Sequence, residues 1–156
     1  MKRSPLLGPA EAAAYAALPP PAPHTEAELA SLVALVTRSG AETVVIGHSR
    51  DTASAAAASA FATAWRSRGG EVLDTVTWPE HAASWLRPAL RLTTPAPDAW
   101  VIAAAPLGWA QMTRRLLHST PWTPSRTFTF ASPVTLADAP TAFEVPTPNG
   151  ITRQSW

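Results

Sequence analysis

The sequence contains no cysteine. This absence excludes disulfide bonds, thiolate metal ligands, a cysteine nucleophile and lipid attachment at cysteine. Charge is also sparse: 12 Lys and Arg stand against 11 Asp and Glu among 156 residues, and no run of one sign is longer than two residues. Such a distribution offers no electrostatic footprint for nucleic acid or an anionic membrane surface. We therefore predict neither as a partner.

The chain also lacks long apolar runs. No stretch approaches the roughly 20 apolar residues of a membrane-spanning helix, so we predict no membrane insertion. The apolar start of the sequence is interrupted by Pro5, Pro9 and Glu11 before it reaches the length of a signal peptide. We therefore expect either a cytoplasmic protein or a fragment of an exported one.

Metal and phosphate motifs are missing as well. The histidines do not have the spacing of metal ligands; they are His24, His48, His81 and His118. Gly69-Gly70 precedes a predicted strand and is not followed by the Lys-Ser or Lys-Thr pair of a phosphate-binding loop. We predict no metal site and no cofactor.

Proline, by contrast, is abundant near both ends of the chain. Residues 1–24 form a Pro/Ala-rich arm in which 18–23 should be extended and semi-rigid, and residues 132–156 form an irregular Pro-rich tail. Between them, residues 25–131 alternate helical and strand patterns without a repeat of fixed period. We predict one α/β domain in this central part.

The alternation specifies the type of sheet. A capping box at Thr25-Glu26-Ala27-Glu28 predicts the first helix, and further helices are predicted at 51–68, from Pro88 onward and at 111–118. Strands are predicted at 43–47, 71–77, 99–104 and 127–131. This order indicates a doubly wound parallel sheet, a Rossmann-like or flavodoxin-like three-layer lobe. We expect the first strand at its centre, because Val44-Val45-Ile46 has no polar face.

Motifs around these strands carry a family resemblance. In chain order they are Val44-Val45-Ile46, Ser49, the Ala-rich helix closing on Phe61, Arg68-Gly69-Gly70-Glu71-Val72, Val76-Thr77-Trp78, Leu86–Leu92 and Pro97-Asp98-Ala99. The series resembles one lobe of the branched-chain amino acid binding proteins, type I periplasmic binding proteins of ABC transporters. The resemblance implies an amino-acid-like or other polar small-molecule ligand. It also implies a second lobe, a homo-oligomer or a partner subunit that completes the site.

Candidate ligand-binding residues follow from the fold, because ligands of parallel sheets bind beyond the carboxyl ends of the strands. They are Ser49, Arg50, Asp51, Thr52, Trp78 and Trp109. In this hypothesis Arg50 pairs with a carboxylate, and Trp78 or Trp109 forms a wall for an apolar or sugar ring. Alternatively, Arg50 is simply solvated and both tryptophans cover the edge of the sheet.

Two other functions compete with solute binding. Gly47–Asp51 lies between a strand and a helix, like the Gly-x-Ser-x-Gly elbow of a serine hydrolase, with Asp98 and His118 as acid and base. However, a side chain at Asp51 would crowd the strained turn, and Ser49 or Asp51 capping the next helix is the commoner arrangement. We therefore predict no catalytic residue and no enzyme, with a hydrolase using Ser49 as the alternative. A protein-interaction module without a small-molecule ligand is the third possibility.

Overall fold

The computed structural model describes residues 6–130. Their elements are, in order, α1 (Pro9–Ala16), α2 (Glu26–Arg38), β1 (Thr43–Ser49), α3 (Thr52–Ser67), β2 (Glu71–Trp78), α4 (Leu86–Thr93), β3 (Ala99–Ala103), α5 (Pro106–Ser119), a 3-10 turn (Pro124–Arg126) and β4 (Thr127–Thr129). The Pro-rich tail predicted at 132–156 and the last residue of the predicted fourth strand lie outside the described residues.

The four strands form one parallel sheet in the order β2-β1-β3-β4. The predictions of a parallel sheet and of a central first strand are confirmed. The chain adds β2 on one side of β1 and then β3 and β4 on the other side. The sheet is therefore doubly wound, and the strand order reverses between β1 and β3. The run Val44-Val45-Ile46 is completely buried, as a strand covered on both faces requires.

Helices cover both faces of the sheet. On one face α2 and α3 pack against the strands through Leu32, Val36, Ala58, Phe61 and Trp65, which meet Val44, Ile46, Val101 and Phe128. On the other face α4 and α5 pack through Ala89, Leu92, Trp109, Met112 and Leu116, which meet Val45, Val76, Trp78, Trp100 and Ile102. The result is the three-layer α/β arrangement predicted from the sequence.

A bulge lets β2 contribute to both cores. Its register with β1 shifts between Val72 and Asp74, leaving Leu73 as the additional residue. Val72 packs on the α2–α3 side, whereas Trp78 packs on the α4–α5 side. Gly47 makes room for the indole of Trp78, since a Cβ atom at Gly47 would lie 2.8 Å from the Cζ3 of that ring.

The predicted arm contains a docked helix that the sequence patterns did not indicate. Helix α1 packs on α5, where Tyr15 is buried with Ala110. The guanidinium of Arg114 pairs with the carboxylate of Glu11 at 2.5 Å. These contacts make α1 part of the folded body.

Removing the Tyr15 ring tests whether α1 contributes to stability. Tyr15 is 2% exposed, so we expect Tyr15→Ala to lower the free energy of unfolding by about 2–4 kcal/mol, as loss of a large buried side chain does. Urea denaturation monitored by tryptophan fluorescence measures the change. Leu117→Ala is the control, because Leu117 is 55% exposed on α5 and its loss should change stability by about 0.5 kcal/mol or less. Equal stabilities of the two variants would contradict the docking of α1.

Candidate functional site

The carboxyl ends of β1 and β3 lie side by side at the point where the strand order reverses. We call this end of the sheet, with the loops after β1, β2 and β3 and Phe130 after β4, the carboxyl edge. Ser49, the last residue of β1, is 1% exposed. Its hydroxyl accepts a hydrogen bond from the Ala105 amide at 2.9 Å and donates one to the carboxylate of Asp51. The side chain therefore joins the two central strands across the crevice.

Asp51 caps helix α3. Its carboxylate accepts a hydrogen bond of 3.0 Å from the Ser54 amide, and its backbone is extended, as at a helix N-cap. Burial raises the pKa of Asp51, but the hydrogen bonds from the Ser49 hydroxyl and the Ser54 amide outweigh burial and hold the pKa below its usual value. The predicted capping role is confirmed. Asp51 is thus a fixed anion at the carboxyl edge.

The two neighbours of Asp51 face solvent. Arg50 and Thr52 are both exposed, and Thr52 is the first residue of α3. Of the candidates from the sequence, these two and Asp51 lie together on the solvent side of the β1–β3 crevice. The loop after β1 therefore presents an exposed arginine directly before the aspartate that caps α3.

The two tryptophans lie beneath the surface. Trp78 is fully buried, Trp109 is 5% exposed, and their rings stack with centroids 6.0 Å apart. The helix predicted at 111–118 starts earlier in the structure: Pro106 occupies the first helical position of α5, so Pro106–Trp109 forms its first turn. Both rings cover the sheet on the α4–α5 side, and their contact with a ligand stays a prediction.

Glu80, in the loop after β2, is a site residue that the sequence analysis missed. Its carboxylate accepts a 2.5 Å hydrogen bond from the amide of Gly108, in the first turn of α5. A Cβ atom at Gly108 would lie 2.9 Å from that carboxylate oxygen, so the close approach depends on glycine. The sequence offers one signal for this contact: a carboxylate directly after a strand and a glycine just inside a helix that starts with proline.

The second oxygen of Glu80, Oε1, is buried and has no hydrogen-bond partner among residues 6–130. Burial raises the pKa of Glu80 and the negative charge of Asp51 raises it further, while the Gly108 amide and the positive charge of His81 act in the opposite direction. The net result is a raised pKa. The carboxyl edge therefore carries two carboxyl groups whose pKa values are shifted in opposite directions: that of Asp51 is lowered and that of Glu80 is raised.

A small cleft opens on the α2–α3 side of the same edge. Its lining residues come from the arm, two helices and two strand ends: Pro21, Ala22, His24, Glu28, Ala53, Ser54, Ala57, Ala103, Ala104 and Phe130. The cavity volume is ≈ 20 Å³, enough for a water molecule. The hydroxyl of Ser54 lies in the lining and is buried without a hydrogen-bond partner in the described part of the chain. The lining of the cleft thus includes a buried hydroxyl group that could still form a hydrogen bond.

The nucleophile, acid and base of the hydrolase alternative, Ser49, Asp98 and His118, do not lie close together. Asp98 lies at the opposite end of the sheet, where it accepts hydrogen bonds from the amides of Glu42 and Thr43 at 2.9 and 3.0 Å. Ser49 lies six positions after Thr43 along β1, which corresponds to roughly 20 Å. His118 stands in the last turn of α5, next to the Ser119 hydroxyl. The hydroxyl of Ser49 therefore has neither group within reach.

Residues 6–130 contain neither a metal site nor a membrane-spanning helix. These residues contain no group of three or more His, Asp or Glu side chains positioned to hold a metal ion. None of their helices combines the length and the apolar character needed to cross a bilayer.

The fold is similar to that of a solved periplasmic ligand-binding protein. The crystal structure of a branched-chain amino acid ABC transporter periplasmic ligand-binding protein from Burkholderia xenovorans LB400 matches 71% of this chain with a TM-score of 0.55. The chain resembles one lobe of such a protein. The match covers 29% of that protein at 13% sequence identity, so the likeness is one of fold. No protein-family model and no curated protein matches the chain.

Replacing Ser49 separates a structural role from a catalytic one. Ser49→Ala leaves the Ala105 amide without its partner, and we expect a loss of about 1–3 kcal/mol in the free energy of unfolding, measured by urea denaturation. Ser67→Ala, at the exposed end of α3, is the control and should change stability by about 0.5 kcal/mol or less. Labelling of the wild-type protein by a fluorophosphonate that disappears in Ser49→Ala would instead support the hydrolase.

The raised pKa of Glu80 predicts a pH-dependent difference between wild type and Glu80→Gln. Glutamine keeps an acceptor for the Gly108 amide but carries no charge. Because the pKa of Glu80 is higher in the folded state, the stabilisation from its proton is complete below the unfolded pKa of about 4.3 and is lost as pH rises through the folded pKa. We therefore expect wild type to lose stability relative to Glu80→Gln as pH rises above the unfolded pKa of about 4.3.

Urea denaturation at several pH values measures this difference. Glu71→Gln removes an exposed carboxylate from the start of β2, the strand that precedes Glu80, and controls for the change in net charge. A difference between Glu80→Gln and wild type that is constant with pH, or that falls as pH rises, would show that burial of Glu80 does not govern its protonation.

Proposed function

We propose that this chain is a non-catalytic solute-binding or sensor lobe whose ligand binds at the carboxyl edge, over the β1–β3 crevice. The observation that carries the proposal is the crevice itself. Ligands of doubly wound sheets bind outside the carboxyl ends of the strands, at the point where strand order reverses. Here that point holds a fixed carboxylate, Asp51, and the exposed guanidinium of Arg50.

The charges at this edge favour a ligand that carries both signs or a strongly polar group. Arg50 can form a bidentate pair with a carboxylate. Asp51, whose lowered pKa keeps it ionised, and Glu80 can accept hydrogen bonds from an ammonium or hydroxyl group. Amino acids, their amides and sugars are therefore the solutes to test. We assign Trp78 and Trp109 to the floor under the site, where they hold β2 and α5 in position.

A second body is needed to enclose such a ligand. Arg50 and Thr52 are exposed at the crevice, whereas a binding pocket buries most of the surface of a small organic ligand. The crevice of this lobe therefore offers one wall of a site. A second lobe, a second copy or a partner subunit would supply the other wall. The similar solved protein is consistent with this arrangement, since the chain corresponds to 29% of it.

Binding without catalysis is supported by two observations. The hydroxyl of Ser49 is engaged by Asp51 and the Ala105 amide, and the acid and base of the hydrolase alternative lie elsewhere. The similar solved structure is described as a ligand-binding protein. Both favour a binding lobe over a serine hydrolase.

Thermal-shift screening followed by titration calorimetry tests the proposal. We expect at least one amino acid, amide or sugar to raise the melting temperature, and Arg50→Ala to weaken its binding about tenfold or more, with little change in the free protein. Arg66→Ala removes an exposed arginine from the far end of α3 and is the matched control. Equal affinities for the two variants would move the site away from Arg50. A screen in which no solute binds would favour a protein-interaction module.

A further inference from the structure

The segment Pro19–His24, which we call the proline strap, crosses from one face of the protein to the other. Before it, α1 and Leu18 pack on α5. After it, α2 packs on α3 and β4, on the opposite face of the sheet. Six residues in an extended, proline-rich conformation reach roughly 19 Å. The strap therefore passes over the sheet between these two anchoring points.

The strap crosses at the carboxyl edge. Pro21, Ala22 and His24 line the same cleft as Ala103, the last residue of β3, and Ala104, which follows it. The imidazole of His24 meets the ring of Phe130 edge-on, with centroids 5.8 Å apart. The strap thus covers the β3–β4 side of the edge, while Arg50 on the β1 side stays exposed.

The strap is weakly held along its length. Four of its six residues are proline and have no N–H group to donate. Among residues 6–130, no hydrogen bond joins the strap to the rest of the protein. Its ends are anchored more firmly, by the pair of Glu11 with Arg114 before it and by the cap that Thr25 provides to the Glu28 amide after it. A segment with fixed ends and few specific contacts can lift without unfolding the domain.

The cleft that the strap lines contains a buried hydroxyl group without a hydrogen-bond partner among residues 6–130. Ser54, in the first turn of α3, is 2% exposed, and its hydroxyl has no hydrogen-bond partner in the described residues. The hydroxyl lies close enough to Asp51 to help lower the pKa of that carboxylate, although it does not reach hydrogen-bond geometry. Buried hydroxyl groups normally have a partner. Uncovering Ser54 would give its hydroxyl access to water or to a ligand group at the N-terminus of α3.

We propose that the proline strap is a displaceable cover on the β3–β4 side of the carboxyl edge, and that its release exposes the Ser54 hydroxyl and the first turn of α3. Only the description of this edge as a ligand site rests on the proposed function. The opening itself is a property of the chain without ligand, so its test is independent of any solute screen.

Thiol labelling tests the opening directly, because the chain has no cysteine of its own. Ser54→Cys places a thiol under the strap. Ala58→Cys, one turn further along α3 and 3% exposed, places a thiol in the core between α3 and the sheet. The reaction of each thiol with Ellman's reagent is followed across low urea concentrations. We expect Cys at position 54 to react at least tenfold faster than Cys at position 58, with little dependence on urea, since local opening exposes little surface.

Two further variants complete the test. His24→Ala in the Ser54→Cys background removes the contact with Phe130 and should accelerate labelling at position 54 without affecting position 58. Ala57→Cys, which also lines the cleft and is 4% exposed, replaces Ser54→Cys if that variant does not fold. Labelling of the cleft thiols at the rate and with the urea dependence of Cys at position 58 would overturn the proposal. So would a rate at position 54 that His24→Ala leaves unchanged.

Discussion

The hydroxyl of Ser49 determines the geometry of the carboxyl edge. It accepts a hydrogen bond from the Ala105 amide, after β3, and donates one to Asp51, which caps α3. A hydroxyl can do both because it has one proton and two lone pairs. One buried side chain thereby fixes the relative positions of β1, β3 and the first turn of α3. The opposite end of the same strand pair has a counterpart in Asp98, which binds the amides before β1; these hydrogen bonds lower the pKa of Asp98.

The fold could be predicted largely from local patterns. Apolar runs such as Val44-Val45-Ile46 indicated the strands, and their alternation with helices indicated a parallel, doubly wound sheet, which the structure confirms. Helix α1 could not be predicted in this way. Its sequence is rich in alanine with little apolar periodicity, and Tyr15 is buried together with Ala110 of α5, which lies about a hundred residues later in the chain. Contacts of that sequence separation leave no periodic signal.

The candidate site was partly accessible to the same reasoning. The position of Asp51 between a strand and a helix predicted its capping role, because that role is local. The pairing of Glu80 with Gly108 depends on the loop after β2 and the first turn of α5, which the sheet order brings together, and no short window of sequence contains both. The burial of Trp78 could not be predicted for a different reason: a strand pattern gives the alternation of faces but not how deeply each face is covered. Here Trp109, in the first turns of α5, stacks against its ring.

The position of the strap bears on how a second lobe could close over this one. A lobe that approaches the β1 side would meet Arg50 and Asp51 without obstruction, but a lobe that covers the whole edge would compete with Pro21–His24 for the β3–β4 side. Competition of this kind lowers the apparent affinity by the fraction of molecules in which the strap is open. Because the strap has no hydrogen bonds to the body within residues 6–130, that penalty is small compared with unfolding a docked element such as α1. Covering the edge and releasing it are therefore compatible with the same folded domain.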